Sequence, residues 1–161
     1  MDTPAEKSGA IESLVVAEQD VETVFSLTPD MQHGEHSLKE FDVYVQNKPG
    51  ELAKVCELLG ANGVNIRAIS SERNNKPMIK IVTDDEATAK SSLARSGVAF
   101  DMRDVVSVRM ADRPGELGKI SRKLARAMVN VDSIYILGKE GSTTDIAFTV
   151  DNLEKAQAAL K

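Results

Sequence analysis

Apolar and polar positions fall into a pattern that occurs twice. Residues 41–46, FDVYVQ, and 105–110, VVSVRM, are β-rich runs with partial alternation, as in half-buried strands. Each is followed by Pro-Gly and then by an i, i+3, i+4, i+7 series. The series is Leu52, Val55, Cys56 and Leu59 in the first copy, and Leu117, Ile120, Ser121 and Leu124 in the second. That spacing predicts a helix with one core-facing side. VNIRAISSE (64–72) and VNVDSIYIL (129–137) then read as strands. A polar hairpin follows, RNNKP or GKEGS, and then MIKIVT or DIAFTV. A second helix opens at Asp84 or Asp151, both good N-caps, and Asp151 and Glu154 have capping-box spacing. Gly60 and Gly63 suit the exit of the first helix. Gly97 ends the second, and VAFDM (98–102) closes the first copy as a short strand.

The two copies align residue n with n+65. KPGELAKVCELLGANGVNIRAI (48–69) lies over RPGELGKISRKLARAMVNVDSI (113–134). After a hairpin two residues longer, VTDDEATAKSSL (82–93) lies over TVDNLEKAQAAL (149–160). The order βαββαβ predicts an α+β fold of two tandem ferredoxin-like units, each an antiparallel sheet with helices on one face. Unit 1 is expected over 40–103 and unit 2 over 104–161. Unit 2 lacks a counterpart of VAFDM, which leaves the strand at 105–110 with an open edge. Residues 1–39 form an acidic leader, expected to be partly ordered or disordered. Three readings of it stand: SLVVAE or VETVFSLT returns as the missing strand, Ile11, Leu14, Val15, Val21 and Phe25 share a helix face, or the segment is disordered.

Composition narrows the picture. Apolar residues make up 42% but aromatics only 4%, so the core is aliphatic. No apolar run reaches the roughly 20 residues of a membrane span, and no signal peptide is visible. With Cys56 alone, an internal disulfide is impossible. A cytoplasmic protein is expected. Residues 1–40 carry nine acids and two bases, while the rest is nearly neutral, so no basic nucleic-acid footprint exists. HGEH (33–36) offers too few ligands for zinc and reads as linker. Cys56 reads as core. GELGK (115–119) fails P-loop spacing. No nucleophile–base pairing is evident, so no enzyme activity, cofactor or metal is expected.

The repeated (N/D)-(K/R)-P-G-E-L at a strand-to-helix turn, with (V)-N-(I/V)-x-x-I opening the next strand, resembles the ACT domain over 41–161. The resemblance implies tandem ACT units joined side by side into one sheet. In the family, pairing runs through the edge strand after the first helix and makes eight strands. It also implies an amino-acid effector at the junction, held by the loop before the first helix and by the start of the edge strand. Carried over, the loop residues are Asn47, Pro49, Gly50, Glu51 and Leu52, and Asp112, Pro114, Gly115, Glu116 and Leu117. The strand residues are Asn65 and Ile66, and Asn130 and Val131. A helix N-terminus with unpaired N–H groups suits a carboxylate, and Asn47 or Asp112 suits an ammonium. The same residues are also good turn chemistry without a ligand. Arg67 and Asp132 are expected to form a surface ion pair across the pseudo-dyad.

The expected function is non-catalytic: a regulatory protein that senses an amino acid and forms a homodimer or larger assembly. The alternatives are a regulatory subunit of a separate amino-acid biosynthetic enzyme, docked through the leader, and an oligomerisation module without ligand. Neither nucleic acid nor membrane is expected as a partner.

Overall fold

The computed structural model describes residues 38–73 and 76–161. The elements are β1 (Lys39–Tyr44), α1 (Glu51–Ala61), β2 (Ile66–Glu72), β3 (Met78–Thr83), α2 (Glu86–Arg95), β4 (Phe100–Ala111), α3 (Glu116–Arg126), β5 (Val131–Glu140), β6 (Thr143–Val150) and α4 (Leu153–Leu160). The strands form one antiparallel sheet in the order β2-β3-β1-β4-β6-β5. The three readings of the leader lie outside the described residues.

VAFDM and VVSVRM are not two strands but one. β4 runs through both, and its first half, Phe100–Asp104, pairs with β1 while Val105–Ala111 pairs with β6. The expected boundary at 103/104 falls inside it. The eight strands implied by the resemblance are therefore six among the described residues. The units are joined by a shared strand, not by their edge strands. Bonds from Val105 N to Leu38 O and from Asp112 N to Ser142 O fix the alternation, which puts β1 and β6 on opposite sides of β4. Each half of β4 is thus paired on one side only within the described residues.

The even-numbered side chains of β4 face the helices. Phe100 and Met102 pack on Phe41, Val43, Val55, Leu59, Ile81 and Leu93. Val106 and Val108 pack with Ile120, Leu124, Phe148 and Leu160. Leu52 and Leu117 depart from the helical series: they are 52% and 38% exposed, because each stands in a first turn beyond the sheet's end. Cys56 is only half-buried and not part of the core.

The odd-numbered residues face the other way, where the sheet curls onto itself. Val82, Val105, Tyr135 and Ala147 form a third apolar cluster there, with Leu38, Ala68 and Leu137 against it. β2 and β5 stand at opposite ends of the strand order, yet Ser70 Oγ and Tyr135 OH are 3.5 Å apart. The two residues are equivalent under the 65-residue repeat, so a pseudo-twofold axis passes between them. Strands crossing about that point carry Arg67 and Asp132 apart. The expected ion pair does not form: Asp132 bonds Arg103 at 3.1 Å, and Arg67 lies close enough to Asp145 to help hold its carboxyl down.

The second helices start one residue later than expected. Asp85 accepts from Thr88 N at 2.9 Å, and Asn152 accepts from Lys155 N at 3.0 Å. Asp84 and Asp151 instead accept from Asn65 N and Asn130 N, both at 2.9 Å, closing each unit's end. The Asp151–Glu154 box is therefore not made.

Candidate functional site

Each first helix starts in the same way. Gly50 and Gly115 are the N-caps of α1 and α3, both at φ +92°, and neither helix has a side-chain cap. A left-handed residue directly after Pro49 or Pro114 favours glycine. A built Cβ meets nothing within 4 Å at either position, so the space over each turn is open. No side chain caps the first-turn N–H groups of either helix, although Glu116 N donates to Arg113 O at 3.4 Å.

A glutamate stands at the first position of each helix, gripped by bases three residues away. Glu51 bonds Lys54 at 2.8 Å, with Lys48 at 3.8 Å. Glu116 bonds Arg113 at 2.7 Å and Lys119 at 3.0 Å. Lys54 holds the Glu51 carboxyl below the usual range, and Arg113 followed by Lys119 does so for Glu116. Glu116 is buried and Glu51 half-buried. Asn47 accepts a long 3.5 Å contact from Arg73, whereas Asp112 accepts from Lys139 at 2.8 Å, which lowers its pKa. The two loops are alike in backbone and unlike in charge.

The strand residues lie elsewhere. Tyr44 pairs with Met78 and Met78 with Glu72, so the Asn47–Leu52 loop shares a sheet end with the end of β2. Ile66 pairs with Thr83, at the other end. Likewise Ala111 pairs with Thr143 and Thr143 with Glu140, while Val131 pairs with Val150. Within each unit the two expected halves of the site, loop and strand start, therefore stand at opposite ends of the sheet. Asn65, Asn130 and Val131 are exposed and Ile66 half-buried. The side chain of Asn130 reaches Asp132 at 3.4 Å.

A groove of about 540 Å³ flanks α1 on its β4 side, lined by Tyr44, Gln46, Glu51, Lys54, Leu58 and Val98 among others. Of the expected residues only Glu51 borders it. Among the described residues no acidic, histidine or cysteine cluster suits a metal. No helix among them is long and apolar enough to cross a membrane.

Sequence reasoning missed a polar seam on the helix-free face. Glu40 and Asp42 of β1 are buried, at 0% and 2% exposure. Tyr135 donates to Glu40, Arg103 bridges Asp42 at 3.0 Å and Asp132 at 3.1 Å, and Lys80 donates to Ser133 at 3.0 Å. In KEFDVY these acids alternate with Phe41 and Val43, which reads as a solvent face. The cover comes from β5, more than 90 residues away.

Two ferredoxin-like units sharing one sheet, each with a Pro-Gly-Glu-Leu helix start, define a tandem small-domain architecture. The family model described as an ACT domain pair matches residues 36–160, and the chain belongs to that family. Aspartokinase from Corynebacterium glutamicum is 33% identical over 85 residues, 50% of this chain and 20% of the relative. The chain thus matches about a fifth of the length of that relative. In fold it is similar to protein BT0572 from Bacteroides thetaiotaomicron, with TM-score 0.69, 23% identity and 77% and 87% of the two chains covered. It is also similar to the regulatory subunit of aspartate kinase from Thermus thermophilus, with TM-score 0.56, 19% identity and 76% and 87% covered.

Proposed function

We propose that this chain is a non-catalytic regulatory protein that binds a small effector of the amino-acid class beside its two Pro-Gly-Glu-Leu helix starts. The observation that carries the reading is the pair of uncapped, left-handed glycine starts with open space over them. A helix start without a side-chain cap suits the effector's carboxylate. Asp112 and Asn47 supply oxygen acceptors for its ammonium.

Each unit keeps its loop and its strand start at opposite ends. A complete site therefore needs a second edge strand brought beside β2 or β5. A homo-oligomer built along those free edges supplies it, with Asn65, Ile66, Asn130 and Val131 entering from the neighbouring copy. The similarity to aspartokinases supports a second reading, in which the chain regulates a separate amino-acid biosynthetic enzyme in the cytoplasm.

Thermal unfolding against the twenty amino acids, each at millimolar concentration, tests the proposal. A ligand at 100 times its dissociation constant adds about 2.7 kcal/mol of stability. One clear hit, weakened by Asp112→Ala and by Gly115→Val, is the expected outcome. Twenty flat curves would sink the sensor reading in favour of an assembly module without ligand. Co-purification with a biosynthetic enzyme would select the second reading.

A further inference from the structure

The polar seam between the units holds two buried carboxyls with too few donors. Glu40 accepts from the Tyr135 hydroxyl and, at 3.5 Å, from Ser133. None of the ion pairs among the described residues joins it to a cation. Asp42 stands two residues along the same strand and therefore on the same face. Its Oδ2 is taken by Arg103, and its Oδ1 is buried without a hydrogen-bond partner among the described residues. A bare buried carboxylate oxygen is costly.

The other charged groups facing the seam do not cure this. Lys80 of β3 is spent on Ser133 and on Glu72 of β2, at 3.5 Å. Arg103 of β4 is shared between Asp42 and Asp132 of β5. Tyr44 and Asp101 bond each other at 2.6 Å. Ser70 of β2 meets Tyr135.

We propose that Glu40 carries a proton at neutral pH and donates it to the bare Oδ1 of Asp42, so that closure of the two units on each other takes up one proton from water. The proton removes one of two adjacent buried charges and satisfies the orphan oxygen together. Burial pushes the Glu40 carboxyl above the ordinary glutamate range, and Asp42 pushes it further, against the lowering pulls of Tyr135 and the Lys80 charge. Below the ordinary pKa the closed and unfolded chains hold this proton alike. Between the ordinary and the raised value only the closed chain holds it, so stability falls as pH rises through that window. Tyr135 lies on β5, the strand that opens at Val131 directly after Asn130, so the proton is coupled to the position of that strand.

Denaturant unfolding of the full chain from pH 5 to 9 tests the assignment. In the wild type the folding constant is expected to fall by up to about tenfold per pH unit inside the window. Glu40→Gln should remove that component. Tyr135→Phe, which removes only a hydrogen bond, should keep it. A merely structural Glu40 would leave the slope of Glu40→Gln unchanged, and that result overturns the proposal. Infrared spectroscopy of the wild type decides independently of any variant's folding. A protonated-carboxyl band at neutral pH that disappears by pH 9 supports the shared proton, and its absence at neutral pH overturns it.

Discussion

At the scale of single residues, the two copies place different residues at one left-handed backbone position. Gly63 and Met128 occupy equivalent places after the first helix, at φ +74° and +57°. Glycine adopts that conformation freely, whereas an L side chain pays about 1–2 kcal/mol for it. Met128 is also 81% exposed, so its side chain gains little from packing in return. Met128→Gly is therefore expected to stabilise the chain by about 1 kcal/mol in denaturant unfolding. Gly50→Ala and Gly115→Ala should each cost about as much by the same argument reversed. A Cβ there meets open space, so strain and not a clash sets the figure. A neutral Gly115→Ala would mean that the turn relaxes out of its left-handed conformation. The carboxyl of Glu116 gives a pH signature of opposite sign to that of Glu40. Arg113 and Lys119 lower it, so its contribution is complete above the ordinary glutamate pKa and is lost as pH falls through the lowered value. Glu116→Gln should remove that acid-side loss, read in unfolding between pH 5 and pH 2.

At the scale of elements, the caps separate what local pattern shows from what it leaves open. Asp84 and Asp85, like Asp151 and Asn152, are adjacent residues that both cap well, and spacing alone does not choose between them. The backbone N–H of Asn65 or Asn130 chooses, by claiming the first residue of each pair. Asp85→Ala and Asn152→Ala should therefore each cost about 1 kcal/mol by loss of the cap. Asp84→Ala should leave the start of α2 intact and loosen the α1–β2 connection, visible as faster amide exchange at Asn65. The helices and most strands were legible because each is written in its own local spacing. The repeat was legible because nine identities fall within the 22 positions of 48–69 laid over 113–134 at one offset. β4 was not legible as one strand: Arg103, Asp104 and the repeat boundary all fall where its two halves meet, and nothing local says that the chain runs straight through. Glu40 and Asp42 hid for a similar reason. Their alternation with Phe41 and Val43 is that of a solvent face, and only the approach of β5 buries them. The candidate loops were legible as turn chemistry, but their separation from the strand starts depends on strand direction, which the motifs do not carry.

At the scale of the whole molecule, the two edge strands are unequal. β2 shows Ile69 as its one exposed large apolar side chain, beside Arg67, Ser70 and Ser71. β5 exposes Val131, Ile134 and Ile136, the last two at 46% and 59%. Ile134 and Ile136 pair with Phe148 and Ile146, so they point to the helix side, where neither α3 nor α4 reaches the sheet's edge. A ten-residue strand that pairs on one side only among the described residues, with an apolar flank, is a template for another strand. If oligomers complete the proposed sites, β5 is the edge that drives association, because burying an isoleucine contributes about 1.5–3 kcal/mol whereas β2 has only one to bury. Ile134→Lys with Ile136→Lys is expected to weaken self-association by at least about 100-fold, since a two-fold contact loses both side chains twice. Ile69→Lys should change it far less. Both side chains of the double variant are exposed in the single chain, so its own unfolding should shift by no more than about 0.5 kcal/mol per site. Sedimentation equilibrium measures the first effect and denaturant unfolding the second. A double variant that associates like the wild type would move the interface away from β5. One that turns monomeric and also loses the stabilising amino acid would tie the effector site to the paired edge.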